Sequence, residues 1–399
     1  MKFPAFKILL FFALTLIAVT GCRDDELVMP SEYDLIYEYA DPNSKIKGMY
    51  MLNEGAMGQN KSTLDFLDYP YGIYIRNIFA ARNPKVVKEM GDVGNDIRIY
   101  GSKLYAVINC SHKVDVLSAD SAVKIGQINI PNCRYIRFHE KYAYVSSYAG
   151  KIGMDPNAPL GTVYKVDTTT LQVVDKVTVG YQPDELEVLG DYLYVANSGG
   201  YRAPDYDYTI SVIELEGFKQ VQIISLGTIG LNLHRIRADK YKKLWVSSRG
   251  NYNDTRSSYG PVSSNLFVLQ KKVGYNDMVI TDTLNVACSN MAIHGDSLYF
   301  YSTEWDSQAQ TNKISYGIIN IQTKKLVTTN FITDGTEKDI EVPYGINIHP
   351  ETGDIYVTDA KNFVSSGTLY CYNRNGKRKW EVRTGDIPAH TVFLEKRSK

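Results

Sequence analysis

An apolar residue followed by an aromatic one recurs along this chain at Met49-Tyr50, Leu104-Tyr105, Ala143-Tyr144, Leu193-Tyr194, Leu244-Trp245, Leu298-Tyr299 and Ile355-Tyr356, with spacings of 55, 39, 50, 51, 54 and 57 residues; in the second of these pairs and in several others the aromatic residue is a tyrosine. Turns such as "YGSK", "LGD", "HGDS" and "PETGD" precede the pairs. Before each turn lies a short alternating segment, for example "DIRIY", "RYIRF", "ELEVL", "HRIRA", "NMAIH" and "YGINIH". Period-two alternation marks a half-buried strand, and Gly/Asx turns join such strands into hairpins. A loop and two further strands follow each pair, as in "KVDVLSA" then "KIGQINI" and "TISVIEL" then "QVQIISL". The unit is therefore four antiparallel strands. One such sheet cannot bury both faces alone, so neighbours must stack, and radial stacking of four-stranded units gives a β-propeller. The expectation is an all-β, seven-bladed β-propeller over residues 46–399. A two-domain β-sandwich does not account for seven equal units.

The chain ends explain how the ring closes. After the last full unit comes "IPAHTVFLE", which reads as one more innermost strand with no partners after it. Met49-Tyr50 has no clear innermost strand before it. The C-terminal strand is expected to complete that first blade.

Residues 1–21 do not belong to the fold. Lys2 and Lys7 precede an apolar run from Ile8 to Val19, of signal-peptide length and too short for a transmembrane helix. The following "AVTGC" resembles the lipobox of bacterial lipoproteins, which implies cleavage before Cys22 and lipidation of that cysteine. The acidic "RDDE" after it resembles a surface-export signal. Residues 22–45 are expected to form a lipidated, flexible tether with little structure. Several acyl chains would hold the protein at a membrane surface, here the outer membrane, exposed to the cell exterior.

In a propeller, the loops between the second and third strands share one face with the connections between blades. The long segments here are 53–62, 147–161, 197–208, 248–264, 303–315 and 359–367, all read as such loops. Length and aromatic content are thus concentrated on one face, and loops on a rigid scaffold are where binding usually lies. The inner strands begin on the same face with Asn95 and Asp96, Arg134, Asp184 and Glu185, His234 and Arg235, Asn290, Tyr344 and His390. These are expected to ring the channel mouth. Tyr148, Asn197, Tyr201, Arg249, Tyr252 and Trp305 complete the candidate ligand-binding set.

No metal spacing, phosphate loop or nucleophile elbow occurs. The six histidines are scattered. Asp184 and Glu185 are adjacent on a strand, so their carboxylates point to opposite faces and make a poor acid/base pair. Neither catalysis nor a cofactor is expected. Lys+Arg and Asp+Glu both number 44, with no basic run, so nucleic acid is not an expected partner. Cys110 and Cys133 lie where a disulfide is geometrically conceivable, though an unbridged pair is the favoured reading.

Taken together, "MLNEGAMGQNKSTLDFLD", "GDVGNDIRIYGSKLYAVINCS", "VGYQPDEL", "YVANSGGY", "LWVSSRGNY", "YVTDAKN" and "RTGDIPAH" resemble the YncE-like β-propeller surface lipoproteins of gut Bacteroidetes, in particular their cobalamin-binding members. The resemblance covers roughly residues 48–395. It implies tight capture of cobalamin (vitamin B12) or a related corrinoid and delivery to a TonB-dependent outer-membrane transporter. It carries over no individual contact residues. Of the arginines at the mouth, Arg134, Arg235 and Arg249 are candidates for the vitamin's phosphate. A glycan or haem-like ligand, or a protein-scaffold role, is the alternative; haem would use His234 or His390, and a glycan would use Trp305.

Overall fold

The computed structural model describes residues 32–36, 42–86, 89–272, 274, 277–306 and 311–396. The signal segment, Cys22 and most of the tether lie outside the described residues, as do the side chains of Trp305 and Asp306.

Seven antiparallel sheets form the ring. From the axis outward, blade 2 comprises Gly94–Tyr100, Lys103–Ile108, Lys113–Ser118 and Lys124–Asn129, and blade 3 comprises Cys133–His139, Tyr142–Ser147, Leu160–Asp167 and Val173–Tyr181. Blade 4 runs through Pro183–Leu189, Tyr192–Asn197, Thr209–Glu214 and Lys219–Ser225; blade 5 through Leu233–Ala238, Leu244–Ser248, Asn265–Lys271 and Met278–Thr283. Blade 6 is Asn290–His294, Ser297–Asp306, Thr311–Asn320 and Lys325–Thr328; blade 7 is Pro343–Ile348, Ile355–Asp359, Ser366–Tyr372 and Arg378–Asp386.

Blade 1 is built from both ends of the chain. Pro388–Glu395 is its innermost strand and pairs antiparallel with Ile46–Asn53, which is followed outward by Thr63–Asp68 and Ile73–Ile75. The closure expected from the sequence is thus observed. One feature differs: within the segment read as tether, Tyr33–Leu35 adds a fifth, outermost strand against Ile73–Ile75. Three residues are too few for a periodic signal.

The repeated pair explains why the blades lock together. It sits on the second strand, where neighbouring side chains point to opposite faces. Tyr50 packs with Leu104 of the next blade, Tyr105 with Ala143, Tyr144 with Leu193, Tyr194 with Leu244, Trp245 with Leu298, Tyr299 with Ile355, and Tyr356 with Met49. Each pair of neighbouring blades therefore shares one apolar cluster.

The connections into the inner strands turn sharply. Val93, Asn132, Gln182, Asn232 and Ile387 all adopt positive φ just before the inner strands of blades 2, 3, 4, 5 and 1. That conformation costs on the order of 1 kcal/mol or more for a residue with a side chain, most for Val and Ile. It recurs at the loop-face end of the channel and swings the chain from the outside of one blade to the axis of the next.

Asp65, on the third strand of blade 1, fastens the seam. It is almost fully buried and accepts hydrogen bonds from Asn53 Nδ2 (2.8 Å), the Tyr74 hydroxyl (2.8 Å), the Asn77 amide (2.8 Å) and the Gly385 amide of blade 7 (3.2 Å). Asp65→Ala would remove the acceptor of two buried and two half-buried donors, so unfolding free energy is expected to fall by about 3 kcal/mol or more. Denaturant titration of the two proteins checks this; a shift no larger than that of an exposed-site substitution would show that the seam does not depend on Asp65.

Candidate functional site

The loop face is uneven. In blade 2 the turn between the second and third strands is tight, and in blades 3, 4 and 5 long loops rise and bond to one another. The Asp155 amide donates to the Tyr201 carbonyl (2.9 Å), and the Arg202 guanidinium to the Pro156 carbonyl (2.7 Å), joining loops 3 and 4. Asp205 accepts from Ser257 Oγ (2.8 Å) and the Ser258 amide (2.9 Å), joining loops 4 and 5. Tyrosine rings meet edge-to-face along this wall: Tyr148 with Tyr201 (5.0 Å), Tyr206 with Tyr252 (6.3 Å), and Tyr208 with Tyr259 (6.0 Å).

At the foot of the wall, Asp184 gathers four other candidate residues with Tyr201 alongside. Its carboxylate accepts from Arg134 Nε (3.2 Å), the Tyr148 hydroxyl (2.8 Å) and His234 Nδ1 (3.1 Å). Arg249 donates to His234 Nε2 (2.8 Å), which fixes the imidazole as neutral with its proton on Nδ1. The Arg134 guanidinium lies over the Tyr148 ring at 4.7 Å. Burial alone would raise the Asp184 carboxyl, but Arg134, His234 and Arg249 outweigh it and hold the group well below the usual carboxylate range. Burial, and then Arg249 and Arg235, push the His234 imidazole well below its ordinary value.

Across the mouth, Tyr344 donates to Glu54 Oε2 (2.7 Å), and His390 Nε2 lies 3.5 Å from Glu54 Oε1. Asn290 Nδ2 donates to the Tyr344 carbonyl (3.2 Å). Tyr252 is exposed on the wall, and Asn95 is buried at the start of the blade 2 inner strand.

Three candidates fall elsewhere. Asn197 is completely buried inside blade 4, where its amide donates to Thr209 Oγ1 (3.0 Å) and Ser211 Oγ (3.1 Å); it holds the blade and does not face the mouth. Glu185 lies below the mouth, bonded to Arg137 (2.7 Å) and paired with Arg237. Arg235 also lies below, donating to the Tyr135 hydroxyl (2.9 Å). Segment 303–315 is largely not a loop: Ser297–Asp306 and Thr311–Asn320 continue as a paired ribbon through Asp306 and Thr311, so Trp305 belongs to a strand. Cys110 and Cys133 are free thiols, and burial pushes them up to about 11 and about 12.

The sequence reading missed the second layer of the channel. Pairing with the anchor strands places His390, Asp96, Tyr135, Glu185, Arg235, Asn290 and Gly345 at one level. Two residues further along, Val392, Arg98, Arg137, Glu187, Arg237, Ala292 and Asn347 make the next. The signal was the two-apart spacing in "DIR", "YIR", "ELE" and "RIR". It also missed large apolar residues in the loops: Met57, Met154, Phe363 and Val364 are exposed on the loop face together with Tyr252 and Tyr259.

No family model matches the chain, and no curated protein does either. Solved structures do. A hypothetical selenium-binding protein from Sulfolobus tokodaii superposes with a TM-score of 0.61 at 12% identity, covering 90% of this chain and 97% of that one. A putative 6-phosphogluconolactonase from Bacteroides fragilis gives 0.56 at 11% identity, covering 89% and 100%. A quinonprotein alcohol dehydrogenase-like protein from Bacteroides thetaiotaomicron gives 0.55 at 12%, covering 87% and 78%. At such identities the likeness is one of fold.

The buried neutral histidine sets a pH dependence. Because the folded state holds His234 below its unfolded value, the unfolded chain binds the proton first as pH falls. Stability is then present above the unfolded pKa, about 6.5, and declines below it. Asp184 adds loss in the same direction below about pH 4, the unfolded carboxylate range. His234→Gln keeps a donor toward Asp184 and an acceptor toward Arg249. Denaturation midpoints from pH 8 to 5 are expected to fall more steeply in the wild type than in this variant; parallel curves would refute the placement of His234.

Proposed function

We propose that the loop face captures a broad, amphipathic ligand of the corrinoid class, cobalamin foremost, and hands it to a TonB-dependent outer-membrane transporter from a lipid-anchored position at the cell surface. The observation that carries this reading is the exposed apolar rim, Met57, Met154, Tyr252, Tyr259, Phe363 and Val364, around a polar mouth. Exposed apolar side chains set around a concave polar site suit an amphipathic ligand. Apolar parts of the corrin fit the rim, and its peripheral amides fit the hydroxyls, amides and backbone groups of loops 3 to 5. Among the candidate arginines, Arg249 suits the phosphate best. Its side chain is 35% exposed, whereas Arg235 is 6% exposed and engaged with Tyr135.

A haem-type reading is less well supported, because both ring nitrogens of His234 are already bonded and His390 faces Glu54. The cobalt of the vitamin is accordingly expected to keep its own axial ligand. His234→Gln and His390→Gln should leave the absorption spectrum of the bound vitamin unchanged; a histidine-dependent shift would contradict this.

Calorimetric titration with cyanocobalamin and with cobinamide, which lacks the nucleotide loop, tests the reading itself. One-to-one binding is expected. Tyr201→Ala and Arg249→Ala should each weaken it by about tenfold or more while the cooperative melt persists, since loop side chains add little to the blade cores. Absence of binding to either corrinoid would overturn the ligand assignment.

A further inference from the structure

The two channel layers are not symmetric around the axis. Blades 2 to 5 carry long charged side chains, whereas blades 6, 7 and 1 contribute Asn290, Ala292, Gly345, Asn347, His390 and Val392. Gly345 is obligatory there: a Cβ at this position would come within 2.6 Å of the Ala389 carbonyl oxygen and 2.8 Å of Thr358 Oγ1. A side chain therefore cannot fill that sector at the upper level. The result is a cavity of about 220 Å³ inside the channel, lined by Arg98, Arg235, Arg237, Asn290, Asn347 and His390 among others.

Charge in the two layers does not balance. Arg98 and Arg137 lie 3.3 and 3.0 Å from Asp96, and Arg137 (2.7 Å) and Arg237 both reach Glu185. Glu187 lies 3.4 Å from Arg137. Asp96, which also lines the cavity, is thus already engaged. Arg235 is different. Among the described residues no carboxylate pairs with it; Glu185 and Asp184 are near enough to favour its charge but are committed to other partners. Among the described residues the guanidinium's hydrogen-bond partner is the neutral hydroxyl of Tyr135, over whose ring it lies at 5.4 Å, and its buried Nε has none. A guanidinium that is 6% exposed, borders a cavity and lacks a counter-charge is costly unless an anion joins it.

We infer that the axial cavity is a binding site for a small oxyanion, a carboxylate or phosphate group, held by Arg235 with Arg98 and Arg237 and the amides of Asn290 and Asn347. Planar or tetrahedral oxyanions accept two hydrogen bonds from a guanidinium edge, which suits the unused Nε. The site is separate from the corrinoid platform. Tyr135 accepts from Arg235 and meets the His390 ring edge-on at 6.3 Å, so it joins these two cavity-lining side chains.

The test is thermal melting of the protein in inorganic phosphate or acetate, against chloride of equal ionic strength. A saturable rise in melting temperature with at least one oxyanion is expected, and their order distinguishes phosphate from carboxylate. General salting-out by phosphate does not saturate in this way. Arg235→Met should abolish the response, and Arg249→Ala, at the mouth, should retain it. Asn347→Asp supplies an internal carboxylate beside the same cavity and should make the protein insensitive to added oxyanion; it decides the matter if Arg235→Met fails to fold. No saturable rise in the wild type, or an undiminished one in Arg235→Met or Asn347→Asp, overturns the inference. Corrinoid binding is expected to survive in Asn347→Asp, so failure of the platform reading and failure of the oxyanion site are distinguishable.

Discussion

The contact between the anchor aromatic of one blade and the apolar anchor of the next governs the rest of the molecule. Alternation along the second strand makes each blade present a large ring on one face and a small aliphatic group on the other. Burying such a side chain is worth about 1.5–3 kcal/mol, and no blade obtains it alone. Tyr50 needs Leu104, and Tyr356 needs Met49. The last of these contacts forces closure, because it joins the C-terminal blade to the N-terminal one. Pro388–Glu395 then completes blade 1 by pairing with Ile46–Asn53.

Closure in turn fixes what faces the axis. Seven inner strands run side by side from the loop face, so residues two apart on each strand become two stacked rings. The first ring was largely legible, because polar residues at strand starts stand out in Asp96, Glu185, Arg235, Asn290 and His390. The second was equally present in "DIR" and "RIR", yet the partner of each charge lies on another blade, about fifty residues away. Arg137 contacts Asp96 and Glu185 only because three inner strands converge. Spacing shows which residues share a face of one strand. It does not show how ionic partners are divided among strands, and so it does not reveal that Arg235 is the one without a carboxylate.

The loop face shows the same boundary between local and non-local signals. Long segments rich in Gly, Asn and Tyr announced loops at 147–161, 197–208 and 248–264. Their assembly into one wall depends on contacts such as Asp205 with Ser257, which no local pattern encodes. Segment 303–315 misled for a different reason. Neither Thr303 nor Glu304 is buried, and Thr311, Asn312 and Lys313 on the strand opposite are exposed, so little imposes alternation there, and strand and loop look alike in sequence. Asn197 misled because strands end gradually: it is polar and borders a loop, but one residue of register places it inside the blade, where Thr209 and Ser211 satisfy it.

The saturation of Asp184 bears on the kind of work this face can do. A general acid or base must gain and lose a proton near the working pH. Asp184 is held ionised by the cationic Arg134 and Arg249 and by the hydrogen bond from His234, and His234 is held neutral with both nitrogens occupied. Neither is poised for proton transfer near neutrality. The same bonds restrict Arg134, Tyr148 and Arg249 to set positions before a ligand arrives. Ordering a rotamer-rich side chain on binding costs about 0.5–1.5 kcal/mol, and here the protein's own fold has already ordered these. Rigidity of that kind favours tight capture, while the exposed Tyr252 and Met154 remain free to adapt to the contour of what is captured. The polar floor is fixed by the blades and the apolar rim is carried by loop tips, so the two can vary independently: changes at the rim alter what fits, without disturbing the charges beneath.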